Sequence, residues 1–365
     1  MSTVRGGRTT ARVLVVDPAP GETALTELAA FVGLGLVPTV NLRRVADAHL
    51  RARIGARYRT VDFDGFDKDQ LATHIEDAGR GFDAVKCRAG IPLSATVLER
   101  ATADTLRRRL VLVGKAAAGS DTFDHAAAQR LGVTIRTTPG ANAAAVAELT
   151  VALMLDALRG VSRRANALRV RSWTDAVHDL PTGSLADARV GLVGSGAIAR
   201  RVADLVRAFG AEVWVFGSPR FTAERAAEWP GRRVGSLGEL LAHCDLVSVH
   251  VPATPETEGM IGADQLRLMR PGSVLINTAR AGVVDEQALD RALRDSRSGP
   301  WRAAVDVFAT EGPSFCSPLA DNPHCTLSPH AAGMTWSAMR TASHQLVDEF
   351  ARFMKGADML DTRVC

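Results

Sequence analysis

One stretch constrains the fold more than any other: Arg189–Arg220, RVGLVGSGAIARRVADLVRAFGAEVWVFGSPR. It reads as strand, tight glycine turn, helix and second strand. Val190, Leu192 and Val193 suit a buried parallel strand. Gly194-Ser195-Gly196 lets the backbone turn sharply and approach a ligand closely. Ala197 to Phe209 carries apolar residues at helical spacing, Gly210 ends it, and Val213 to Phe216 forms the next strand. A Gly-x-Gly at a strand-to-helix turn aims free N–H groups and the helix dipole at one place, which suits a pyrophosphate. A plain βαβ unit whose glycines only permit tight packing is the alternative, and the motif alone leaves it open.

The rest of the 365-residue chain alternates in the same way, and its length suits two ordinary domains. Arg12 to Asp17, Arg59 to Phe63, Phe82 to Cys87, Leu110 to Val113 and Val133 to Thr137 read as strands with helices between them, and Gly33 to Asn41 reads as a loop. After Pro139-Gly140, one long helix is expected from Ala143 to about Arg169, then a loop over Asp175 to Asp187. Beyond the opening stretch, Leu246–Val251, Val274–Asn277, Ala303–Phe308 and Cys325–Leu327 continue the strands. Residues 142–331 thus hold roughly six strands, the size of a dinucleotide-binding domain. A last helix, Thr335 to Met354, is expected to return to the first domain.

Composition narrows the function. Apolar content of 46% and charged content of 23% are those of a soluble globular protein. The net charge of +4 is dispersed, with no block of five or six like charges. A mildly basic, Arg-rich composition accounts for it more simply than nucleic-acid binding does, and it still suits an anionic substrate or cofactor. The five cysteines form no C-x-x-C pair, so free thiols in a reducing compartment, and no metal site, are expected. No apolar run approaches the ~20 residues of a membrane span. The N-terminal MSTVRGGRTTAR lacks the hydrophobic core of a signal peptide, so a cytoplasmic protein is expected.

Ligands of parallel sheets bind beyond the carboxyl ends of the strands. Three ionisable residues stand there: Arg280 in INTARAGVVDE, Glu311 in VDVFATEGP and His330 in LSPHAAG. A nicotinamide moves a hydride but no proton, so a neighbouring acid/base must serve the carbinol oxygen. Histidine titrates near neutrality and suits this task. A carboxylate on its other ring nitrogen fixes the tautomer, and a guanidinium fork binds a substrate carboxylate.

With these residues in order, the chain resembles the D-isomer-specific 2-hydroxyacid dehydrogenases, the group of phosphoglycerate, glycerate and glyoxylate/hydroxypyruvate enzymes. The motifs are KAAAGSDTFDHAAAQRLGVTIRTTPGANAAAVAELT, VGLVGSGAIARRVADLVRAFG, HVPATPETEGMIG, LINTARAGVVDEQAL, AAVDVFATEGP and SPHAAG, over about residues 84 to 350. The resemblance implies an α/β fold of two Rossmann-like parallel-sheet domains. One is a discontinuous, flavodoxin-like substrate domain, residues 1–141 with 332–365. The other is an inserted NAD(P)-binding domain, residues 142–331, and a homodimer is usual. It implies that Arg280 binds and polarises a 2-oxo acid, that His330 is the acid/base and that Glu311 is its partner. Gly194, Gly196, Ala197, Ile198, Val251, Pro252, Thr278 and Gly333 would line the cofactor, with Asp306 at the nicotinamide carboxamide. Ala117, Ala118 and Gly119 match the loop whose amides hold the substrate carboxylate, and Arg88 matches a position beside the substrate tail.

Four departures from the family pattern stand out. Ala199 replaces the third glycine. Glu311 precedes Gly312-Pro313 rather than proline itself. Lys115-Ala116-Ala117-Ala118 lacks the usual Arg-Ala-Gly start. The second strand ends Phe216-Gly217-Ser218-Pro219-Arg220, without the acid that holds the ribose diol of NAD. Ser218 and Arg220 could take a 2′-phosphate, so NADP is expected over NAD. Arg88, Lys86 and Lys115 suggest a substrate with an extra negative charge, phosphate, phosphonate or carboxylate. No C-terminal regulatory domain is expected. A nucleotide-sensing corepressor or scaffold, and a phosphite- or formate-type dehydrogenase, remain alternatives on the same fold.

Overall fold

The computed structural model describes residues 11–178, 180, 182–219, 221–295 and 299–356. They form two compact units, Met1–Asn142 with Thr335–Cys365, and Ala143–Met334.

The first unit is built on six parallel strands: β1 (Ala11–Val15), β2 (Leu36–Asn41), β3 (Arg59–Val61), β4 (Ala84–Cys87), β5 (Leu112–Lys115) and β6 (Thr134–Thr137), in the order β3-β2-β1-β4-β5-β6. The order reverses between β1 and β4. The terminal helix Trp336–Gly356 packs on this sheet, its Leu346 and Phe350 sharing a core with Val13, Phe31 and Leu112. A Cβ at Gly114 of β5 would fall 2.1 Å from the Phe350 ring, so the strand needs glycine where this helix lies down.

The expected loop over Gly33–Asn41 is wrong for its second half: Leu36–Asn41 is β2, a strand between β1 and β3. Gly33, Gly35 and Pro38 argue against a strand by composition. Gly35 takes a left-handed φ of +81° ahead of the strand. Pro38 precedes the stretch Thr39–Asn41 that pairs with β3, so the ladder on that side does not require its missing N–H.

The second unit holds seven parallel strands: β7 (Arg189–Val193), β8 (Glu212–Phe216), β9 (Arg232–Arg233), β10 (Leu246–Val249), β11 (Ser273–Asn277), β12 (Pro300–Val305) and β13 (Cys325–Leu327), in the order β13-β12-β11-β10-β7-β8-β9. Two-residue β9 is the strand that the sequence did not betray. Helices cover both faces: Ala143–Arg159 and Ala197–Ala208 on one, Leu237–His243, Ala263–Leu268 and Glu286–Arg294 on the other. The near-continuous apolar strands follow from this double burial. The order reverses between β7 and β10, so the crevice of this sheet opens beyond the glycine turn.

The single helix expected from Ala143 to Arg169 is two, Ala143–Arg159 and Val161–Arg169. Gly160 between them takes φ +64°, and the Asp156 carboxylate accepts from the Ser162 N–H that the break frees. Within the expected loop Asp175–Asp187, a short helix Trp173–Val177 closes under the Ser172 cap. No helix among the described residues is long and apolar enough to cross a membrane.

Candidate active site

The glycine turn sits where β7 meets the helix Ala197–Ala208. Gly194 has φ +120°, and a Cβ there would lie 2.6 Å from the His250 carbonyl oxygen, so only glycine brings β7 this close to β10. A Cβ on Gly196 would meet nothing within 4 Å, and this residue caps the helix without a side-chain bond. The amides of Ala197 and Ile198 open the helix and donate to nothing among the described residues. Ala199 is fully buried against the strands, so a methyl fits where the family pattern has its third glycine. These residues fit a dinucleotide pyrophosphate. Val251 and Pro252 follow β10 at the same edge. His250 stays neutral there, since burial pulls its pKa down to about 3.

Three neighbouring strands carry the polar residues. Arg280 lies just after β11, half-buried, with the Asn277 side chain shaping its turn by donating to the Arg280 carbonyl and accepting from the Ala279 N–H. Thr278, buried, shares a 2.8 Å hydroxyl bond with Thr150. His330 follows β13, and its Nδ1 meets both oxygens of Glu311 at 2.9 and 2.8 Å. An ionised carboxylate only accepts, so Nδ1 carries the proton and Nε2 is left for other chemistry. The side chains of His330 and Glu311 remain 49% and 39% exposed.

Asp306 holds this arrangement from below. It is fully buried, and its two oxygens accept from the N–H groups of Ala331 and Ala332 at 2.9 and 3.0 Å. It thus pins the turn from His330 to Gly333, in which His330 itself takes the left-handed φ of +53°. That positioning role was not read from the sequence. The Gly312-Pro313 departure is absorbed: Gly312 turns at φ +80°, while Glu286 accepts from Ala309 N–H and Ser317 Oγ at 2.6 Å each and clamps both ends of the Glu311 loop. Glu311 is further held by the Phe308 N–H at 3.0 Å.

In the first unit, Ala117, Ala118 and Gly119 follow β5. The Ala117 N–H is used by the Lys115 carbonyl, while those of Ala118 and Gly119 donate to nothing among the described residues. Arg88 follows β4, partly buried, with Nη2 at 3.4 Å from Met339 Sδ. The expectation that Lys86 and Lys115 also serve an anionic substrate is corrected. Lys86 is fully buried, bonded to Glu27 at 3.0 Å and to the Asp17 carbonyl. Lys115 is buried too, with Nζ donating to Thr122 Oγ1 at 3.2 Å and standing over the Phe123 ring.

At the end of β8, Ser218 is exposed, and Arg220 lies outside the described residues. The strand end itself carries no acid, but Glu228, farther along the chain, lines a cavity with Ser195 of the glycine turn. It follows the strand end by too many residues for a motif to reveal it. No group of His, Cys, Asp or Glu among the described residues could hold a metal.

Fold and site together define an α/β protein with an open glycine turn and a hydrogen-bonded His–Glu pair at the carboxyl ends of one parallel sheet. A family model, D-isomer specific 2-hydroxyacid dehydrogenase, NAD binding domain, matches residues 151–332. The glycerate dehydrogenase of Methylorubrum extorquens is 35% identical over 262 residues, 70% of this chain and 80% of that one. The D-3-phosphoglycerate dehydrogenase of Mycobacterium tuberculosis is 34% identical over 306 residues, 84% of this chain and 54% of that one. The chain thus spans about half the length of the phosphoglycerate dehydrogenases it matches. A glyoxylate reductase structure from Paecilomyes thermophila superposes with a TM-score of 0.76 at 22% identity, covering 95% of this chain and 96% of that one, which shows the shared fold. The chain belongs to the D-isomer-specific 2-hydroxyacid dehydrogenase family, NAD-dependent oxidoreductases that act on CH–OH donors.

Proposed function

We propose that this chain interconverts a small 2-oxo acid and its D-2-hydroxy acid. The observation that carries this reading is the Glu311–His330 pair beyond β12 and β13, with Arg280 beyond the adjoining β11. When bound, the nicotinamide cofactor supplies or takes the hydride. His330 gives the proton to the carbonyl oxygen from Nε2 and takes it back in the reverse direction, while Glu311 stabilises the imidazolium through Nδ1. Arg280 grips the substrate carboxylate and polarises the neighbouring carbonyl. Asp306, buried beneath the position where the family resemblance puts the nicotinamide carboxamide, keeps the His330 turn in register.

The second unit is then the cofactor domain and the first the substrate domain, with Arg88 and the amides of Ala118 and Gly119 as substrate ligands. With Lys86 and Lys115 engaged internally, Arg88 alone supports an additional phosphate, phosphonate or carboxylate on the substrate. Ser218, exposed at the end of β8, supports acceptance of NADP beside the NAD of the family. We further read the protein as a cytoplasmic homodimer, on the family resemblance and the free cysteines among the described residues; light scattering tests the dimer.

The test is a screen of 2-oxo acids, phosphorylated and phosphonate ones included, against NADH and NADPH. Oxidation of reduced cofactor with at least one acid is expected. No turnover with any of them, or turnover that survives His330→Ala undiminished, overturns the reading.

A further inference from the structure

Beside the glycine turn lies a cavity of about 240 Å³ lined by Ser195, Arg200, Phe221, Glu228 and Trp229. Ser195 stands between the two glycines of the turn. Arg200 stands one helical turn above Gly196, to whose carbonyl its N–H is bonded at 3.0 Å. Phe221 and Trp229 form the wall, edge to face with ring centroids 5.6 Å apart. Arg200 and Glu228 are both exposed, and neither side chain makes an ion pair or hydrogen bond among the described residues. Opposite charges therefore border one cavity without neutralising each other. Unpaired charges on an open cavity cost the fold nothing in burial and remain available to a ligand.

A dinucleotide whose pyrophosphate lies on the amides of Ala197 and Ile198 sends its adenosine end along this side of the turn. We propose that cofactor choice is decided here by Arg200 and Glu228 in opposition. The guanidinium takes a 2′-phosphate in its fork, and the carboxylate accepts from the free hydroxyls of an unphosphorylated ribose and repels the phosphate. The pocket thus admits both NAD and NADP with a modest bias, and each residue pulls that bias its own way. This rests on the reading that the glycine turn holds a dinucleotide.

The experiment measures dissociation constants of NADH, NADPH, 5′-AMP and adenosine 2′,5′-bisphosphate by calorimetry on the full chain. Both positions are exposed, and an unchanged melting temperature confirms folding of each variant. Arg200→Ala is expected to shift the ratio of NADPH to NADH affinity at least tenfold towards NADH. Glu228→Gln is expected to shift it at least threefold towards NADPH, with the bisphosphate and AMP following the same two directions. Binding that persists with ratios moved less than twofold, or moved the same way by both substitutions, overturns this inference alone. Failure of every nucleotide to bind the unaltered protein overturns the dinucleotide reading and this inference with it.

Discussion

At the carboxyl end of β4 a lysine is fully buried, its charge spent on Glu27 and the Asp17 carbonyl. At the carboxyl end of β13 a histidine stands half exposed, tied by one ring nitrogen and open at the other. Both sheets are parallel, and in both the strand ends collect polar side chains. In the first, Glu27 of the helix Thr23–Gly33 also accepts from Ser343 of the terminal helix at 2.8 Å and from the Ala19 N–H at 2.9 Å, so the cluster ties the last helix to that helix, to β4 and to the loop after β1. In the second, Asp306 and Glu286 are consumed so that Glu311 and His330 need not be. A charge at a strand end is thus either a fastening or left open to solvent, and its partners decide which.

The contrast can be broken at either end. His330→Ala is expected to lower kcat by about 10²–10⁴-fold, roughly 3–5 kcal/mol, with the melting temperature nearly unchanged. Steady-state kinetics and calorimetry on one preparation check both halves, and a variant that unfolds instead would make the histidine a fastening. Lys86→Ala does the reverse: about 3–5 kcal/mol of unfolding free energy is lost because Glu27 is left buried and unpaired. Urea titration measures it, and Lys86→Met combined with Glu27→Gln should restore most of the loss. A single-variant loss under about 1 kcal/mol would erase the difference between the sheets.

Asp77 sharpens the comparison through pH. Burial pushes its pKa up, but hydrogen bonds from Arg59, Arg12 and Arg80 outweigh this and hold it well below the usual carboxylate range. A depressed folded value means that the contribution is complete above the unfolded value of about 4 and is lost as pH falls through the folded one. Asp77→Ala should cost about 2 kcal/mol at pH 7, and its stability should fall less steeply than the parent's below about pH 4. Parallel acid limbs in urea titrations would remove the three-arginine cluster from the fastenings. The smallest effect is expected at Arg280. Arg280→Lys keeps the charge and loses the fork, so kcat/KM should drop more than tenfold, about 1.4 kcal/mol. Kinetics within twofold of the parent would take Arg280 out of substrate binding.

The route from β7 through the glycine turn to β8 was legible because a doubly buried strand shows as an apolar run and the turn requires glycine. Arg280, Glu311 and His330 were legible as polar residues just past such runs. What escaped shares one cause. A residue's place along the chain says which edge it reaches, not which distant partner meets it there. Lys86 looks like a free cation until Glu27 arrives from the helix Thr23–Gly33, and Lys115 until the loop after β5 folds Thr122 back onto it. Glu228 looks remote from the glycine turn until the chain after β8 folds back to Ser195. A carboxylate at Gly217, the substitution that the strand-end pattern suggests for switching cofactor, meets a local obstacle, since its Cβ would fall 2.6 Å from Phe221. Ser218→Asp keeps that test open. β2 was hidden differently, by Gly33, Gly35 and Pro38, whose local preferences its two neighbours override.

The left-handed backbone of His330 has a consequence for how such a residue is kept. A side chain with a Cβ at φ +53° sits in a region that asparagine tolerates better. Selection for robustness alone would therefore drift this turn away from histidine, and a library sorted only for thermal resistance should return asparagine or glycine at 330 among its silent, well-folded members. Histidine is among the side chains that this backbone admits, with asparagine the easier occupant, so the turn narrows what can stand at 330 before any chemistry is asked of it.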